Sequence, residues 1–407
     1  MSTAFRPAVV AIGHSRPDAL ARLLASLGAG AYPPETPLVI SLDHCDRNDT
    51  AAVADTFAWP HGPKRVIRQA VRLGLREHIL RCGDLAVEYG GVILFEDDLV
   101  AAPGAYDYVL QAMAFYADEP RVGGISLYNY LLNEFNNLDF RPVADGSDVY
   151  FLQVASSWGQ AWTADQWTAF RRWYAEDKDR PFSTAGGLPR QLQAWKPTSW
   201  KKYYIKYLVE TGRYFAYPRV SLSTNTARPG AHTKRVVSIY QTPLDLARAR
   251  QWRLTSLDAS LAVYDVFYEP RPEALARLRP ELTGLDFDVD LMGTKPADAL
   301  TKPLLLSSRP CREPTLVYGI RAGSTPADDI ADGVSGRLFS LGPATAFGAM
   351  TPMRRLKLIR AIHGGLGLGK LAFQVLKPLQ TELFIAQARR RAPPATAPVD
   401  AELHACA

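Results

Sequence analysis

Uninterrupted apolar runs alternate with amphipathic segments through the first 120 residues of the chain. The apolar runs predict buried strands, because a strand that is covered on both faces has no polar side. The segments between them place leucines at helical spacing, as in 20–27, and predict helices that bury one face. The apolar runs predict strands at 8–12, 37–42 and 92–95, and we also expect a strand at Lys64-Arg-Val-Ile67. The predicted helices lie between 17 and 28, 50 and 57, 75 and 89, and 103 and 116.

The alternation of strands and helices predicts an α/β fold of Rossmann-like type, a mostly parallel sheet with helices on both faces. Ser15 and Asp18 have the spacing of a capping box at the start of the first helix. Beyond residue 120 the pattern loosens, and we expect strands at 149–155 and 219–223 and a helix at 203–210. Proline and glycine cluster after residue 269, which predicts a first domain over 1–295, with halves 1–125 and 126–295, and a mixed or helical appendage over 296–407.

The composition is that of an ordinary globular protein, with 47% hydrophobic and 22% charged residues in 407. The sequence contains no uncharged apolar run near the ~18–20 residues that span a bilayer. The N-terminus has no basic patch before an apolar run, which argues against a secretory signal. The four cysteines are widely spaced, so we expect reduced thiols in a cytoplasmic protein and neither a disulfide framework nor a structural zinc site.

The net charge of +6 is concentrated in one segment near the C-terminus. Residues 350–391 contain nine Lys and Arg and a single acidic residue, Glu382, so the rest of the chain is slightly negative. This distribution argues against a nucleic-acid partner. The segment is either a solvated basic face or a peripheral contact with anionic lipid at the inner membrane. Within it, 364–370 has the spacing of a phosphate-binding loop, but Leu371 replaces the required Ser or Thr.

Three acidic residues, Glu96, Asp97 and Asp98, follow directly after the predicted strand 92–95. Ligand sites in open α/β sheets lie at the carboxyl ends of strands. In an extended backbone Glu96 and Asp98 share a face and Asp97 points away. Neighbouring carboxylates repel unless a cation or a hydrogen-bond donor compensates them, and Mg²⁺ or Mn²⁺ bound to a diphosphate is suited to that position. The alternative is a solvated acidic turn before the next helix.

Two further side chains belong to the same predicted edge. Asp43 ends the second strand and either accepts from a nucleobase N–H or a ribose hydroxyl, or is a turn aspartate. Arg16 lies next to the start of the first helix, where an anionic diphosphate is favoured, or is a surface arginine.

The segment Phe95-Glu-Asp-Asp-Leu-Val-Ala-Ala-Pro-Gly-Ala-Tyr-Asp-Tyr108 resembles one in the animal N-acetylglucosaminyltransferase I family. In that family Glu-Asp-Asp-Leu is followed by Ala-Pro and an aromatic pair. Two other segments fall in the same order as in that family: Ser15-Arg-Pro-Asp18 and Ile40-Ser-Leu-Asp43. Four more are similar to bacterial, family 2-like glycosyltransferases of surface-polysaccharide gene clusters: Ser157-Trp-Gly-Gln-Ala-Trp162, Ser199-Trp200, Pro218-Arg-Val-Ser-Leu-Ser-Thr-Asn225 and Gly230-Ala-His232. The resemblance covers roughly 7–240 and implies a GT-A fold nucleotide-sugar glycosyltransferase.

The resemblance also implies residue roles. It makes 1–125 the nucleotide-binding half and 126–295 the acceptor half of the domain. It implies that Asp98 is the direct ligand of Mn²⁺ or Mg²⁺, that Glu96 and Asp97 contact the ribose and the sugar, and that Arg16 contacts the diphosphate. It further implies that Asp43 recognises the nucleobase and that a loop carrying His232 closes over the donor. Trp158, Gly159 and Trp162 would form the acceptor side of the site; the alternative for the two tryptophans is core packing.

The sequence departs from that family at the general base. Where the family has an acidic pair between two tryptophans, this chain has Trp200-Lys201-Lys202-Tyr203. A lysine serves as a base only with a strongly lowered pKa, so the base is expected elsewhere. The nearby carboxylates are Asp165, Glu176, Asp177 and Glu210, of which Asp165, near the Trp motif, is our hypothesis.

The observations and the resemblance together predict metal-dependent transfer of a hexosyl or N-acetylhexosaminyl group from a nucleoside diphosphate-sugar to a hydroxyl of a glycan or lipid-linked glycan, in bacterial surface polysaccharide synthesis such as capsule formation. The resemblance implies that the transfer inverts the anomeric centre. One alternative is a nucleotidyltransferase that makes sugar nucleotides, although Gly13-His14-Ser15-Arg16 is poor in glycine for such an enzyme's phosphate loop. Another is a degenerate subunit that binds nucleotide sugar without turnover, which Lys201 and Lys202 keep open.

Overall fold

The computed structural model describes residues 6–228, 237–363, 376 and 380–387. The strands in this part of the chain are β1 (Ala8–Gly13), β2 (Leu38–Leu42), β3 (Lys64–Arg68), β4 (Gly91–Glu96), β5 (Leu99–Ala101), β6 (Val122–Ser126), β7 (Val149–Leu152), β8 (Gln160–Thr163), β9 (Tyr214–Pro218), β10 (Ser223–Asn225), β11 (Val263–Tyr264), β12 (Phe287–Asp290), β13 (Leu304–Ser307), β14 (Leu316–Tyr318) and β15 (Phe339–Pro343).

The helices are α1 (Pro17–Gly28), α2 (Asp49–Thr56), α3 (Gly74–Tyr89), α4 (Ala105–Phe115), α5 (Ala164–Asp177), α6 (Trp200–Glu210), α7 (Pro272–Leu278), α8 (Pro326–Ala331) and α9 (Pro352–His363). Short 3₁₀ helices occupy Arg190–Ala194, Pro280–Leu282, Ala297–Ala299 and Ala344–Ala346. Residues 380–387 are helical as well.

A large sheet with the order β11-β7-β9-β6-β8-β4-β1-β2-β3 forms the centre of the described structure. Most neighbouring strands in it are parallel; β8 is antiparallel to β4 and β6, and β7 is antiparallel to β9. Alternate residues of the strands supply two hydrophobic cores, one with α3, α5 and α6 and the other with α1 and α4. The predicted α/β class, with a Rossmann-like, mostly parallel sheet between helices, is confirmed.

The start of α1 differs from the prediction. Pro17 occupies the first helical position as expected, but Arg16 is the N-cap residue and no side chain caps the helix. The capping box predicted for Ser15 and Asp18 is therefore wrong, because the helix begins one residue too late for Ser15 to reach its amides.

The direction of the strands defines one edge of the sheet. Strands β1, β2 and β4 are parallel, so their carboxyl ends lie at the same edge. Strand β6 ends there too, because β4 and β6 are both antiparallel to β8, which lies between them. The antiparallel β8 begins at this edge, since Gln160 pairs with Leu94 near the end of β4 and Thr163 pairs with Gly91 at its start. We call this the carboxyl edge.

A second unit follows, in which β12, β13, β15 and β14 form a four-stranded sheet. Its core also takes in Leu275 of α7, Ile330 of α8 and Leu358 of α9. The boundary predicted at residue 295 therefore lies inside this unit, because β12 already pairs with β13. The appendage is mixed α/β, in agreement with the predicted mixed character.

The helix α9 changes the interpretation of the basic segment 350–391. Its apolar side chains Leu358, Ile359 and Ile362 are buried against the protein, which leaves Lys357 and Arg360 on its exposed face. The segment 364–370, which has the sequence spacing of a phosphate-binding loop, lies outside the described residues. Within the described part of the chain, none of the helices has the length and apolar character required to cross a membrane.

Candidate active site: an acidic turn at the carboxyl edge

The three acidic residues form the junction between β4 and β5. Glu96 is the last residue of β4, and Asp97 and Asp98 make a tight turn into β5. The turn is held by the pairing of β5 with β10 and by the Thr226 N–H, which donates to the Asp98 carbonyl at 2.9 Å.

Arg16 joins the turn from the loop after β1. Its Nε donates to Asp97 Oδ2 at 3.2 Å, its Nη2 contacts Asp97 Oδ1, and the same Nη2 lies 3.8 Å from Asp98 Oδ2. The prediction that Asp97 points away from Asp98 is wrong, because the backbone turns after Glu96 and does not stay extended. The proximity of Arg16 to the acidic residues, which the sequence could not establish, results from β1 lying beside β4.

Negative charge is under-compensated at this turn. Burial, together with Asp98 and Asp97, raises the pKa of Glu96 to about 8, although Arg16 and Lys201 act in the opposite direction. Burial also raises the pKa of Asp97 to about 6 despite its contact with Arg16. Among the described residues, no hydrogen-bond donor reaches the Glu96 side chain. A site with this excess of carboxylates favours a cation.

The donor set suits a hard divalent cation. Every candidate ligand in the turn is a carboxylate oxygen, and the side chain of Asp98 remains 36% exposed. Within the described ranges, His, Cys, Asp and Glu residues form no group of three able to hold a metal by themselves. Mg²⁺ and Mn²⁺ are commonly bound through one or two carboxylates plus substrate phosphates, so the residues fit such an ion on that basis.

Asp43 lies at the end of β2 and is buried. Its Oδ1 accepts from the His44 N–H at 2.9 Å and the Leu73 N–H at 2.8 Å, and its Oδ2 accepts from the Gly74 N–H at 3.0 Å and lies 3.3 Å from Arg72 Nε. Both oxygens are therefore engaged in holding the loop that begins α3. This is the turn role that the sequence left open, and base recognition by Asp43 stays a prediction.

Trp158 and Gly159 lie at the carboxyl edge, just before β8. The Trp158 ring is half-buried, with its centroid 4.6 Å from that of Tyr128 and 5.1 Å from that of Tyr240. Gly159 has a φ of 87°, and a Cβ atom there would lie 2.6 Å from Ser223 Oγ. The glycine therefore allows the loop before β8 to approach β10 closely, and Ser223 Oγ donates to the Trp158 carbonyl.

Trp162 does not share that surface. It is fully buried, and its ring packs against Trp167, Trp200 and Tyr204. A side chain without an exposed face cannot contact an acceptor. The predicted acceptor role of Trp162 is therefore corrected to core packing.

Asp165 lies on the wrong side of the sheet to act as the base. It is exposed in the first turn of α5, two residues beyond Thr163, which pairs with the first residue of β4. Glu96 is the last residue of that strand, so at ~3.3 Å per residue the two ends are about 16 Å apart. The hypothesis that Asp165 is the base is corrected by this geometry.

The structure brings forward a carboxylate that the sequence did not single out. Glu134, in the segment after β6, accepts from Lys201 Nζ at 2.6 Å through Oε2, and Tyr130 Oη donates to the same oxygen at 2.6 Å. The Lys201 and Glu134 side chains are 9% and 7% exposed. Glu134 stands in no recognisable motif and is 67 residues from its partner, so no sequence signal indicated it.

The second lysine is tied to the protein by other contacts. Lys202 Nζ donates to the Trp195 carbonyl at 3.1 Å and lies 4.0 Å from the centroid of the Phe182 ring. Burial lowers its pKa to about 8. His232, assigned from the resemblance to a closing loop, lies outside the described residues.

No protein-family model and no curated protein matches this sequence. Among solved structures, the chain is similar to the mannosyltransferase PcManGT from Pyrobaculum calidifontis in complex with GDP-Man and Mn²⁺, with 13% identity and a TM-score of 0.31 over 53% of this chain and 58% of that one. It is also similar to S. aureus TarS 1-349, with 13% identity and a TM-score of 0.33 over 54% of this chain and 60% of that one. The match thus spans less than two thirds of those proteins. The likeness is too slight to assign a function, which depends on the residues of the site.

Proposed function

We propose that this protein is a glycosyltransferase of GT-A type that uses a nucleoside diphosphate-sugar and a divalent cation. The observation that carries the proposal is the acidic turn beside Arg16 at the carboxyl edge of a mostly parallel sheet. Carboxylates and a guanidinium at one strand end form a site for a cation and a diphosphate together.

Each residue of the site has a role in this proposal. Arg16, about one-third exposed, binds the departing diphosphate and also fixes Asp97. Asp98 holds Mn²⁺ or Mg²⁺, which when bound would neutralise charge on the leaving group. Glu96 and Asp97 orient the ribose and the sugar, and the half-buried ring of Trp158 packs against the acceptor sugar.

The finer parts of the proposal follow from the sequence resemblance. The group transferred is a hexosyl or N-acetylhexosaminyl residue, and transfer inverts the anomeric centre. The acceptor is a hydroxyl of a glycan or lipid-linked glycan in bacterial surface polysaccharide synthesis. The reaction takes place in the cytoplasm.

Nucleotide binding is expected to require the cation and Asp98. Titration calorimetry with UDP or GDP should show binding in Mn²⁺ or Mg²⁺ and at least about a tenfold weaker association after chelation, a loss of about 1.4 kcal/mol or more. Asp98→Asn should show the same weakening in the presence of metal, because the amide oxygen carries no charge for the ion.

Asp165→Asn is the matched control, since it also removes an exposed aspartate but at the opposite edge. It should bind nucleotide as the wild type does. Equal affinities of wild type and Asp98→Asn, with and without chelator, would remove the cation from the proposal.

We also propose that the exposed basic face of α9 contacts anionic lipid. Lys357 and Arg360 project from that helix while its apolar face is buried. The double variant Lys357→Gln/Arg360→Gln should partition several-fold less onto phosphatidylglycerol-containing vesicles in a sedimentation assay, with no change for phosphatidylcholine alone. Arg172→Gln, an exposed charge on α5, serves as the control; if both variants sediment alike, α9 is a solvated face.

A non-catalytic nucleotide-sugar-binding subunit is the second candidate. Lys201 and Lys202 at the start of α6, where the family that the sequence resembles has acidic residues, favour it. A panel of nucleotide sugars assayed for release of the free nucleoside diphosphate separates the two, because a binding subunit retains the donor without releasing product.

A further inference from the structure

A buried ion pair lies between two tryptophans near the acidic turn. The Lys201 ammonium is 5.5 Å from the centroid of the Trp158 ring and 5.6 Å from that of Trp195. Both tryptophans are half-buried, so each ring keeps part of its surface accessible. Aromatic rings around a charged, hydrogen-bonding pair are suited to a sugar, whose C–H faces pack on rings while its hydroxyls need polar partners.

One carboxylate oxygen of this pair has no hydrogen-bond partner in the described part of the chain. Both donors, Lys201 Nζ and Tyr130 Oη, reach Oε2 of Glu134, while Oε1 is buried and accepts no hydrogen bond from any described residue. A buried acceptor left unsatisfied costs roughly 1–3 kcal/mol, and more when it is charged. A hydroxyl that entered between the tryptophans would supply the missing donor.

The pair belongs to the carboxyl edge and therefore to the proposed donor site. Glu134 follows β6, whose neighbour β8 begins beside Trp158 and pairs with β4, the strand that ends in Glu96. Lys201 lies in the first turn of α6, which leads into β9, parallel to β6. In agreement with this placement, Lys201 acts to lower the pKa of Glu96.

On the basis of the proposed function, we propose that Glu134 is the catalytic base and that Trp158 and Trp195 flank the acceptor sugar. The acceptor hydroxyl enters between the two tryptophans, reaches the buried Oε1 of Glu134 and donates a hydrogen bond to it. As the hydroxyl oxygen forms its bond to the anomeric carbon, the bond from that carbon to the diphosphate breaks. The proton passes to Glu134 Oε1, the electron pair leaves with the nucleoside diphosphate, and Lys201 and Tyr130 hold Oε2 in place.

Glu134→Gln is expected to lower kcat about 10²- to 10⁴-fold, the range that general base catalysis contributes. The assay is release of nucleoside diphosphate from a panel of nucleotide sugars, with methyl glycosides or water as acceptor. Affinity for UDP or GDP should stay within about twofold of wild type, because the glutamine leaves the acidic turn untouched.

Asp165→Asn is the matched control and should retain wild-type kcat, since that carboxylate lies at the opposite edge. Formate should restore turnover to Glu134→Ala, whose cavity admits a small carboxylate, but not to Asp98→Asn. A Glu134→Gln enzyme with wild-type kcat would overturn the assignment.

A folding defect must be separated from a lost base, because Lys201 loses its partner when Glu134 is neutralised. The double variant Glu134→Gln/Lys201→Met removes both charges at similar volume and should recover the stability of the wild type without its activity. Full activity in the double variant would show that the pair is structural. A wild-type protein that neither binds nucleotides nor releases product would instead refute the proposed function itself.

Discussion

Trp162→Ala is expected to lower the free energy of unfolding by about 3–5 kcal/mol, the usual cost of removing a large aromatic from a packed core. Trp162 is fully buried, and its ring packs against the rings of Trp167, Trp200 and Tyr204. The neighbouring backbone belongs to the central sheet, so it cannot collapse into the cavity. Urea denaturation followed by circular dichroism measures the loss.

Trp158→Ala is the matched control for that substitution, because it removes the same side chain only four residues away from a half-buried position. We expect a clearly smaller loss of stability and, under the proposed function, a raised KM for the acceptor with unchanged nucleotide affinity. Similar stability losses in the two variants would contradict the distinction between a core tryptophan and an acceptor-side tryptophan.

The second large effect concerns Glu269, which is 1% exposed between the two units. Burial, reinforced by Asp290, raises its pKa to about 8; Lys295 and the Met292 N–H act in the opposite direction, and Asp265 adds to the rise. The folded protein thus holds a proton on Glu269 that the unfolded chain releases near its ordinary value of 4.5. Stability from this group is fully present below about 4.5 and is lost as the pH rises through about 8.

Wild-type stability relative to Glu269→Gln should therefore fall by a few kcal/mol between pH 5 and pH 9, because a tenfold difference in proton affinity between the folded and unfolded chain corresponds to about 1.4 kcal/mol. Urea titrations of both proteins across this range measure the difference. Parallel pH profiles for wild type and variant would show that Glu269 is not protonated in the folded state.

Local pattern was sufficient for the first 120 residues. The four predicted strands and four helices there all form. Strands β1, β2 and β4 are apolar and almost wholly buried, whereas β3, at the end of the sheet, is polar at both ends and only partly buried. The second unit escaped prediction, since strands such as β13 and β15 are short and depend on partners distant in sequence. Its start was placed too late because the proline- and glycine-rich segment after residue 269 does not separate the units but belongs to the second one.

The acidic turn was recognisable from sequence because three carboxylates after an apolar strand form a local pattern. Whether a residue at a strand end faces a ligand or the core is set by partners far along the chain. The sequence alone could not separate Trp158 from Trp162, place Asp165 at the opposite edge, or find Glu134, because the antiparallel direction of β8 and the contact between Glu134 and Lys201 exist only in the folded chain. The order of amino acids determined the elements of the first 120 residues and the acidic cluster. The pairing of distant strands decided which side chains meet at the carboxyl edge.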